Sequence, residues 1–409
     1  MSKLINCSII TIGDELLIGQ TIDTNSAWIA QQLNEIGIWV KRRLAIGDVR
    51  EDILAALQQE SNYADLIIIT GGLGPTADDI TKPVLCEYFG SSLVQNQKIL
   101  DHVTEIFKVR NRPMLEVNLL QAMVPSNCSV LFNEVGTAAG MWFEKDGKVY
   151  ISLPGVPFEM QHIISTKALP KLKSYFTTPR ILHRTIVTSG EGESFIANRL
   201  IEFESKLPDY IKLAYLPKLG IVKLRLTALD ILDSEIDFYF DELKNQIANI
   251  IVSDKDIEIE EAIYNLLLEK NETLSIAESC TGGGLSARIT SIKGSSNIFK
   301  GGLIPYSIES KINVLGVKKE TIDQHTVISS ETVEEMAELC RLKLKSTYAL
   351  SVSGHLEKQE NETFVWIGLS KQGKTLSKKV NVFYDREKNG IMITNTALNL
   401  LRLFILDRI

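Results

Sequence analysis

Three apolar runs, each ending in small or acidic residues, set the pattern of the first third of the chain. Residues 4–12 (LINCSIITI) run into Gly13, Asp14 and Glu15. Residues 38–45 end at Gly47 and Asp48, and residues 66–69 break at Thr70 into Gly71, Gly72, Gly74 and Pro75. Helical spacing fills the gaps over 26–36, closed by Gly37, and over 51–59. After the third run, Asp78, Asp79 and Thr81 precede a helical pattern over 84–89. Continuous β-branched runs are buried parallel strands, and a glycine just past a helix suits its C-terminal cap. The βαβαβα alternation predicts a doubly wound parallel sheet with its ligand crevice at the carboxyl ends of the strands. Asp14, Glu15, Asp48, Asp78 and Asp79 all follow strands, so one crevice collects them.

Further along, Asn133, Gly136, Thr137, Ala138 and Gly140 lead into two apolar strands, MWFE and KVYISL, and a turn over 154–157 precedes a helix over 158–164. A second threonine-bearing glycine turn makes either the opposite wall of a nucleotide-sized pocket or a hairpin connection. The pattern then changes to a strand over 185–189, a helix over 193–201, an alternating strand over 221–228 and a charged helix over 235–250. That is α+β packing. Beyond the acidic patch 254–261 come a helix over 262–270, a strand over 273–277, the turn Glu278 to Gly284 and a helix over 285–292. At 409 residues the chain exceeds one core, which rarely grows past roughly 250 residues. The expected α/β organisation is therefore a doubly wound domain (1–169), a small α+β linking domain (170–253) and a second α/β domain (254–409).

Two stretches carry candidate chemistry. At the third strand, glycine amides approach a ligand closely and a helix start favours phosphate oxygens. Paired carboxylates beside such an anion site point to a divalent cation between protein and phosphates; the alternative is that one of them caps the helix. In the last third, strand, tight turn and helix present a side chain at a helix start, with Ser279, Cys280 and Thr281 as candidate nucleophiles. A free cysteine is more often a small buried hydrophobe. No histidine lies nearby in sequence to serve as base. Tyr306 or a desolvated Lys311 can do so, against the alternative that Lys311 is a solvated helix lysine.

The net charge of −7 and a pI near 5.5 argue against a general nucleic-acid binder, which needs a basic face. The local run Lys41, Arg42, Arg43 reads as a solvated strand edge. No apolar run reaches the roughly 20 residues of a membrane helix and no signal-peptide pattern opens the chain, so a cytoplasmic protein without a membrane partner is expected. Five scattered cysteines without CxxC spacing indicate neither a disulfide framework nor a zinc site.

GDELLIGQTIDTNS (13–26), GGLGPTADDIT (71–81), GTAAG (136–140) and LPGVPFEM (153–160) resemble the N-terminal domain of the CinA family of competence/damage-inducible proteins, related in fold to molybdopterin-binding domains. The resemblance implies a metal-dependent ADP-ribose pyrophosphatase using a Mg, Mn or Co class cation, with molybdopterin binding as the other reading. It places metal contacts on Asp14, Asp48, Asp78 and Asp79, catalysis on Asp79, and substrate contacts on Asn25, Gly71, Gly72, Gly74, Thr76 and Thr137. ESCTGG (278–283), GSSNIFKGG (294–302), Tyr306, Ser307, Lys311 and DRE (385–387) resemble the family's C-terminal nicotinamide-nucleotide amidase domain. That likeness implies Ser279 as acyl acceptor, Lys311 as its activator and Tyr306 assisting. Thr281, Gly282, Gly283, Ser353 and Arg386 would contact the nucleotide. The linking domain is similar to one compared with KH folds, but its GxxG-like element, 190–193, carries Glu191 and Glu193, which a phosphate clamp does not want. No nucleic-acid partner is implied; a small nucleotide substrate and a homodimer are. Three departures stand out: Ala139 replaces a proline, Ile308 an asparagine, and a shorter charged stretch after Ser353 and Gly354 a glycine-rich loop. They imply a weakened, altered or lost second activity. The rival class is a non-catalytic molybdopterin- or nucleotide-binding protein whose C-terminal domain serves dimerisation.

Overall fold

The computed structural model describes residues 3–76, 78–357 and 363–409. Most of the charged stretch noted after Gly354 lies outside the described residues. The chain forms two compact units, Met1–Ile181 and Leu182–Ile409.

The first unit is built on β1 (Ile5–Ile12), β2 (Ile38–Ile46), β3 (Leu66–Thr70), a small antiparallel pair β4 (Leu93–Gln95) and β5 (Met123–Pro125), then β6 (Ser129–Leu131), β7 (Gly140–Lys145) and β8 (Lys148–Leu153). The main sheet has the order β2-β1-β3-β8-β7-β6; β2, β1, β3 and β8 run parallel, and β7 and β6 antiparallel. All five residues of β3 are buried because both faces are covered. Leu66 and Ile68 pack with Ile29, Leu33, Met160 and Ile163, while Ile67 and Ile69 pack with Ile53, Leu57, Val84 and Leu85. The two-residue period of a strand sends alternate side chains to opposite helical layers. The doubly wound expectation meets its limit at β7 and β8. Asp146 (φ +52°) and Gly147 (φ +71°) both sit in the left-handed region, a two-residue turn whose twist matches a hairpin, so β7 returns antiparallel. Apolar runs alone do not reveal strand direction.

The second unit contains β9 (Ile181–Ser189), β10 (Ile211–Lys218), β11 (Ile221–Leu229) and β12 (Ile251–Ser253) in the order β10-β11-β9-β12. Its second sheet contains β13 (Leu274–Glu278), β14 (Phe299–Leu303), β15 (Tyr348–Gly354), β16 (Phe364–Lys371) and β17 (Lys374–Asn381), ordered β14-β13-β15-β16-β17. β13 is parallel to both neighbours, and β15, β16 and β17 form an antiparallel meander. Ile276, Leu350 and Ile367 pack with Ile263, Leu267, Leu398 and Leu401 of the helices Ile259–Lys270 and Arg386–Ile405. On the other face Ala277 and Ala349 meet Met336 and Cys340 of the helix Ser330–Leu344. Val187 and Ile221 of the smaller sheet belong to the first of these cores, and Asn395 Nδ2 donates to the Leu219 carbonyl at 2.7 Å. The two sheets are thus one packed body.

Candidate functional sites

In the first unit the loops after β1, β2, β3 and β8 enclose a cavity of about 380 Å³. Its floor is the glycine turn after β3. Gly71 has φ +116°, and a Cβ there would stand 2.2 Å from the Ile12 carbonyl oxygen; Gly72 has φ +63°. No other residue fits that turn. Gly74 and Thr137 line the same cavity, as does Gly155, whose carbonyl accepts a hydrogen bond from Asn25 Nδ2 at 2.7 Å.

The carboxylates arrive differently from the expected four-ligand centre. Asp79 is turned into its own loop: Gly74 N (2.8 Å), Thr76 N (2.9 Å) and the Thr76 hydroxyl all donate to it. Asp79 braces the turn, and the Thr76 hydroxyl is bound to it rather than offered to a ligand. Asp14 and Asp48 face each other, each accepting the other's main-chain N–H, at 3.2 and 3.4 Å. Burial pushes the Asp48 carboxyl above the usual carboxylate range, and the charges of Asp14, Glu15 and Asp78 add to the rise. Asp78 is exposed and held below its ordinary value, first by a hydrogen bond from Thr76. Among the described residues no three Asp, Glu, His or Cys side chains converge on a metal position. A resident chelate does not fit. A magnesium-like ion held by one or two carboxylates and the ligand's own phosphates does, because Glu15, Asp48 and Asp78 line a wall to which no lysine or arginine contributes among the described residues.

In the second unit β13 delivers Ser279 to the sheet's carboxyl end, where its amide donates to the Val352 carbonyl at 3.0 Å. Lys311, at the start of a π-helical turn (Lys311–Leu315), is 1 % exposed. Its Nζ lies 2.9 Å from Ser279 Oγ, 2.8 Å from the Pro305 carbonyl and 3.4 Å from the Tyr306 carbonyl. Desolvation lowers its pKa from the ordinary lysine value, and no carboxylate pairs with it among the described residues. The three oxygens around Nζ match the three N–H bonds of a charged amine; in the neutral form favoured by burial, two N–H bonds stay on the Pro305 and Tyr306 carbonyls, which only accept, and the lone pair turns to the serine hydroxyl. Burial pushes the Cys280 thiol up to about 12, far from the thiolate that a cysteine nucleophile needs.

Other expected contacts are redistributed. Tyr306 touches Lys311 through its carbonyl, while its phenol oxygen accepts from Arg386 Nη2 at 3.4 Å, so it is no proton relay here. The Ser353 hydroxyl donates to the Val327 carbonyl at 3.0 Å, and Thr281 Oγ1 to Glu278 at 2.8 Å. Gly282 and Gly283 adopt φ of +59° and +101° and shape the turn. A cavity of about 480 Å³ holds Ser279, Lys311, Ile308 and Arg386; a second of about 580 Å³ shares Cys280, Tyr306, Leu356 and Arg386 with it and extends along Thr281, Gly282 and Arg288.

Sequence reasoning missed Glu278. This fully buried carboxylate accepts from Gly283 N (3.1 Å), Leu285 N (2.9 Å), Ser286 N (2.8 Å) and Ser286 Oγ (2.6 Å) besides Thr281. The helix start whose amides could otherwise receive a bound anion is filled by the protein's own carboxylate. Among the described residues the Cys280 and Thr281 amides have no protein acceptor, and both stand beside Ser279. The signal was the charged residue at the end of an otherwise apolar strand.

Residues 256–405 match the CinA C-terminal domain family, and residues 8–174 match a family described as a probable molybdopterin binding domain. A CinA-like protein of Flavobacterium psychrophilum is 44% identical over 405 residues, covering 96% of this chain and 97% of that protein. One of Cytophaga hutchinsonii is 41% identical over 411 residues, covering 98% of each. The crystal structure of the protein CinA with unknown function from Thermoplasma acidophilum aligns with 34% identity and a TM-score of 0.38, over 42% of this chain and 98% of that one.

Proposed function

The chain belongs to the CinA family, and on that premise we propose that it is a two-site hydrolase of pyridine-nucleotide turnover: an amidase acting on nicotinamide mononucleotide in the second unit and an ADP-ribose pyrophosphatase in the first. The observation that carries the amidase reading is the buried Lys311 Nζ at 2.9 Å from Ser279 Oγ, with the Pro305 and Tyr306 carbonyls at 2.8 and 3.4 Å placed to take the N–H bonds of the neutral amine. Ser279 Oγ attacks the carboxamide carbon as its proton passes to Lys311 Nζ. The C–N bond then breaks, that proton leaves with the nitrogen as ammonia, and water cleaves the acyl-serine ester. The Cys280 and Thr281 amides would receive the oxyanion, and Arg386, half exposed at the rim, the substrate phosphate. The assembled pair supports retention of this chemistry despite the altered loop.

In the first unit the support is the anionic crevice against a glycine turn. When carried in with the diphosphate, a divalent cation supplies charge neutralisation and an activated water, and Asp48 and Asp78, which line the cavity, would hold it. The chain's own part is to fix the diphosphate against the Gly71–Gly74 amides, with Asp79 keeping that turn rigid. Incubation of the full chain with ADP-ribose and Mg²⁺, Mn²⁺ or Co²⁺ is expected to release AMP and ribose 5-phosphate. Asp48→Asn should lower the rate on the order of a hundredfold and raise the metal requirement. Absence of AMP with all three metals sinks the assignment. A binding-only role for this unit is the second reading, favoured by the lack of a preformed chelate among the described residues; calorimetric binding of ADP-ribose without turnover distinguishes it.

A further inference from the structure

Lys82, in the first turn of the helix Thr81–Phe89 that follows the glycine turn, is only 6 % exposed, and its Nζ donates to the carbonyls of Leu120 and Gln121, each at 3.2 Å. It ties the short 3₁₀ turn Leu120–Ala122 to the cavity of the first unit. Gln121 borders that cavity and is 2 % exposed, yet neither Nε2 nor Oε1 has a hydrogen-bond partner among the described residues. Buried side-chain amides are nearly always paired, because desolvating a donor and an acceptor without replacement is costly. Gln121 thus combines a buried, unpaired amide, a border on the cavity and a main chain clamped by a buried lysine, and a rotation of the side chain toward the cavity would give that amide the partner it lacks.

We propose that Gln121 reads the heterocycle of the first unit's ligand, hydrogen-bonding through both ends of its amide to an adjacent donor and acceptor on one edge of a planar nitrogen base. The inference rests on the cavity being a nucleotide or pterin site. A primary amide offers one acceptor and donors side by side, the complement of the N6/N7 edge of adenine and of the amino-pyrimidinone edge of a pterin. A carboxylate offers acceptors alone and a lysine donors alone, so neither could make that pair. The order of the sheet separates the two ends of the cavity. Asp48 follows the outer strand β2, while Thr137 precedes β7 on the far side of β3 and β8; Gln121 lines the same cavity, its carbonyl held by Lys82 of the helix that follows β3. With phosphate and cation placed at Glu15 and Asp48, the heterocycle is the part of the ligand left to meet Gln121.

The test is isothermal titration of the full chain with AMP, with magnesium pyrophosphate and with neopterin, comparing wild type, Gln121→Leu and Gln121→Glu. Wild type is expected to bind pyrophosphate and one of the two heterocyclic ligands, which names the base. Both variants should weaken that ligand roughly ten- to a hundredfold, the worth of a paired bidentate contact, while leaving pyrophosphate affinity within about twofold. Unchanged pyrophosphate affinity also shows that the variants fold. Equal affinity of wild type and Gln121→Leu for the heterocyclic ligand overturns the role of Gln121 and leaves the site standing. Wild type that binds pyrophosphate but neither heterocycle also overturns it. Failure of wild type to bind all three overturns the nucleotide-site reading as well.

Discussion

Lys311→Met is expected to lower ammonia release from nicotinamide mononucleotide about a thousandfold, in kcat rather than in KM. Removal of a positioned general base costs roughly 10²–10⁴ in rate, and among the described residues Lys311 is the one basic side chain hydrogen-bonded to Ser279, although His355 lines the same cavity. The methionine keeps the stem's volume but leaves the Pro305 and Tyr306 carbonyls without a donor. Absolute stability is therefore a poor readout, and the pH dependence is the better one. Burial favours the neutral amine, so the folded-state pKa lies below the ordinary lysine value found in the unfolded chain. Between those two pKa values the unfolded state binds more protons, and stability rises with pH. The wild type should lose stability as pH falls from about 10.5, the unfolded lysine value, through the folded pKa, and Lys311→Met should lack that component. Activity should follow the same group: the acid limb of kcat marks protonation of Lys311, since only the free amine accepts the serine proton. A variant retaining more than a tenth of wild-type kcat, or wild-type and variant stability curves of equal slope between pH 7 and 10, removes Lys311 from the mechanism.

How far this site was legible is clearest in its individual residues. Ser279 stands out because backbone geometry advertises it: a buried strand, a glycine-rich turn and a helix leave few places for a side chain to go. Lys311, which by pattern reads as a solvated helix lysine, is picked out only by the resemblance to the family. The same logic locates the crevice of the first unit, where Gly71 and Gly72 occupy backbone conformations closed to other residues. What the sequence does not specify is the choice among competing acceptors. Gly283, Leu285 and Ser286 can donate to a bound phosphate or to a neighbouring carboxylate with equal chemical sense, and only folding brings Glu278 close enough to win. Asp79 is the same case in reverse, a carboxylate adjacent to a metal-type cluster that spends its oxygens on Gly74 and Thr76. Gln121 was illegible because nothing marks a lone glutamine between two short elements until its burial and missing partners are known. The helix Arg386–Ile405 escaped for another reason. It buries eleven of its twenty residues, three asparagines and Arg402 among them, so no polar stripe contrasts with an apolar one.

Glu278→Leu should unfold the second unit well before the first. The wild-type carboxylate divides its work: Oε2 takes the amides of Gly283 and Leu285 and the Thr281 hydroxyl, and Oε1 takes the amide and hydroxyl of Ser286. Leucine fills the volume but strands three main-chain donors at a helix start where water has little access. Each buried donor left unmade costs about 1–3 kcal/mol, and loss of a fully paired buried ion about 3–5 kcal/mol in all. For a unit of this size that corresponds to a fall in Tm of roughly 6–20 °C. Glu278→Gln keeps one oxygen and opposes the other amides with an N–H₂ group, so it should fall between the two and lower kcat while it remains folded, because the turn that aims Ser279 loosens. Differential scanning calorimetry of the full chain separates the effects, since the transition of the first unit serves as an internal reference. If Glu278→Leu moves neither transition by more than about 2 °C, on the order of 1 kcal/mol, the turn is held by something other than this carboxylate. In that event its amides regain their standing as an anion site, and the substrate phosphate moves from Arg386 to the helix start.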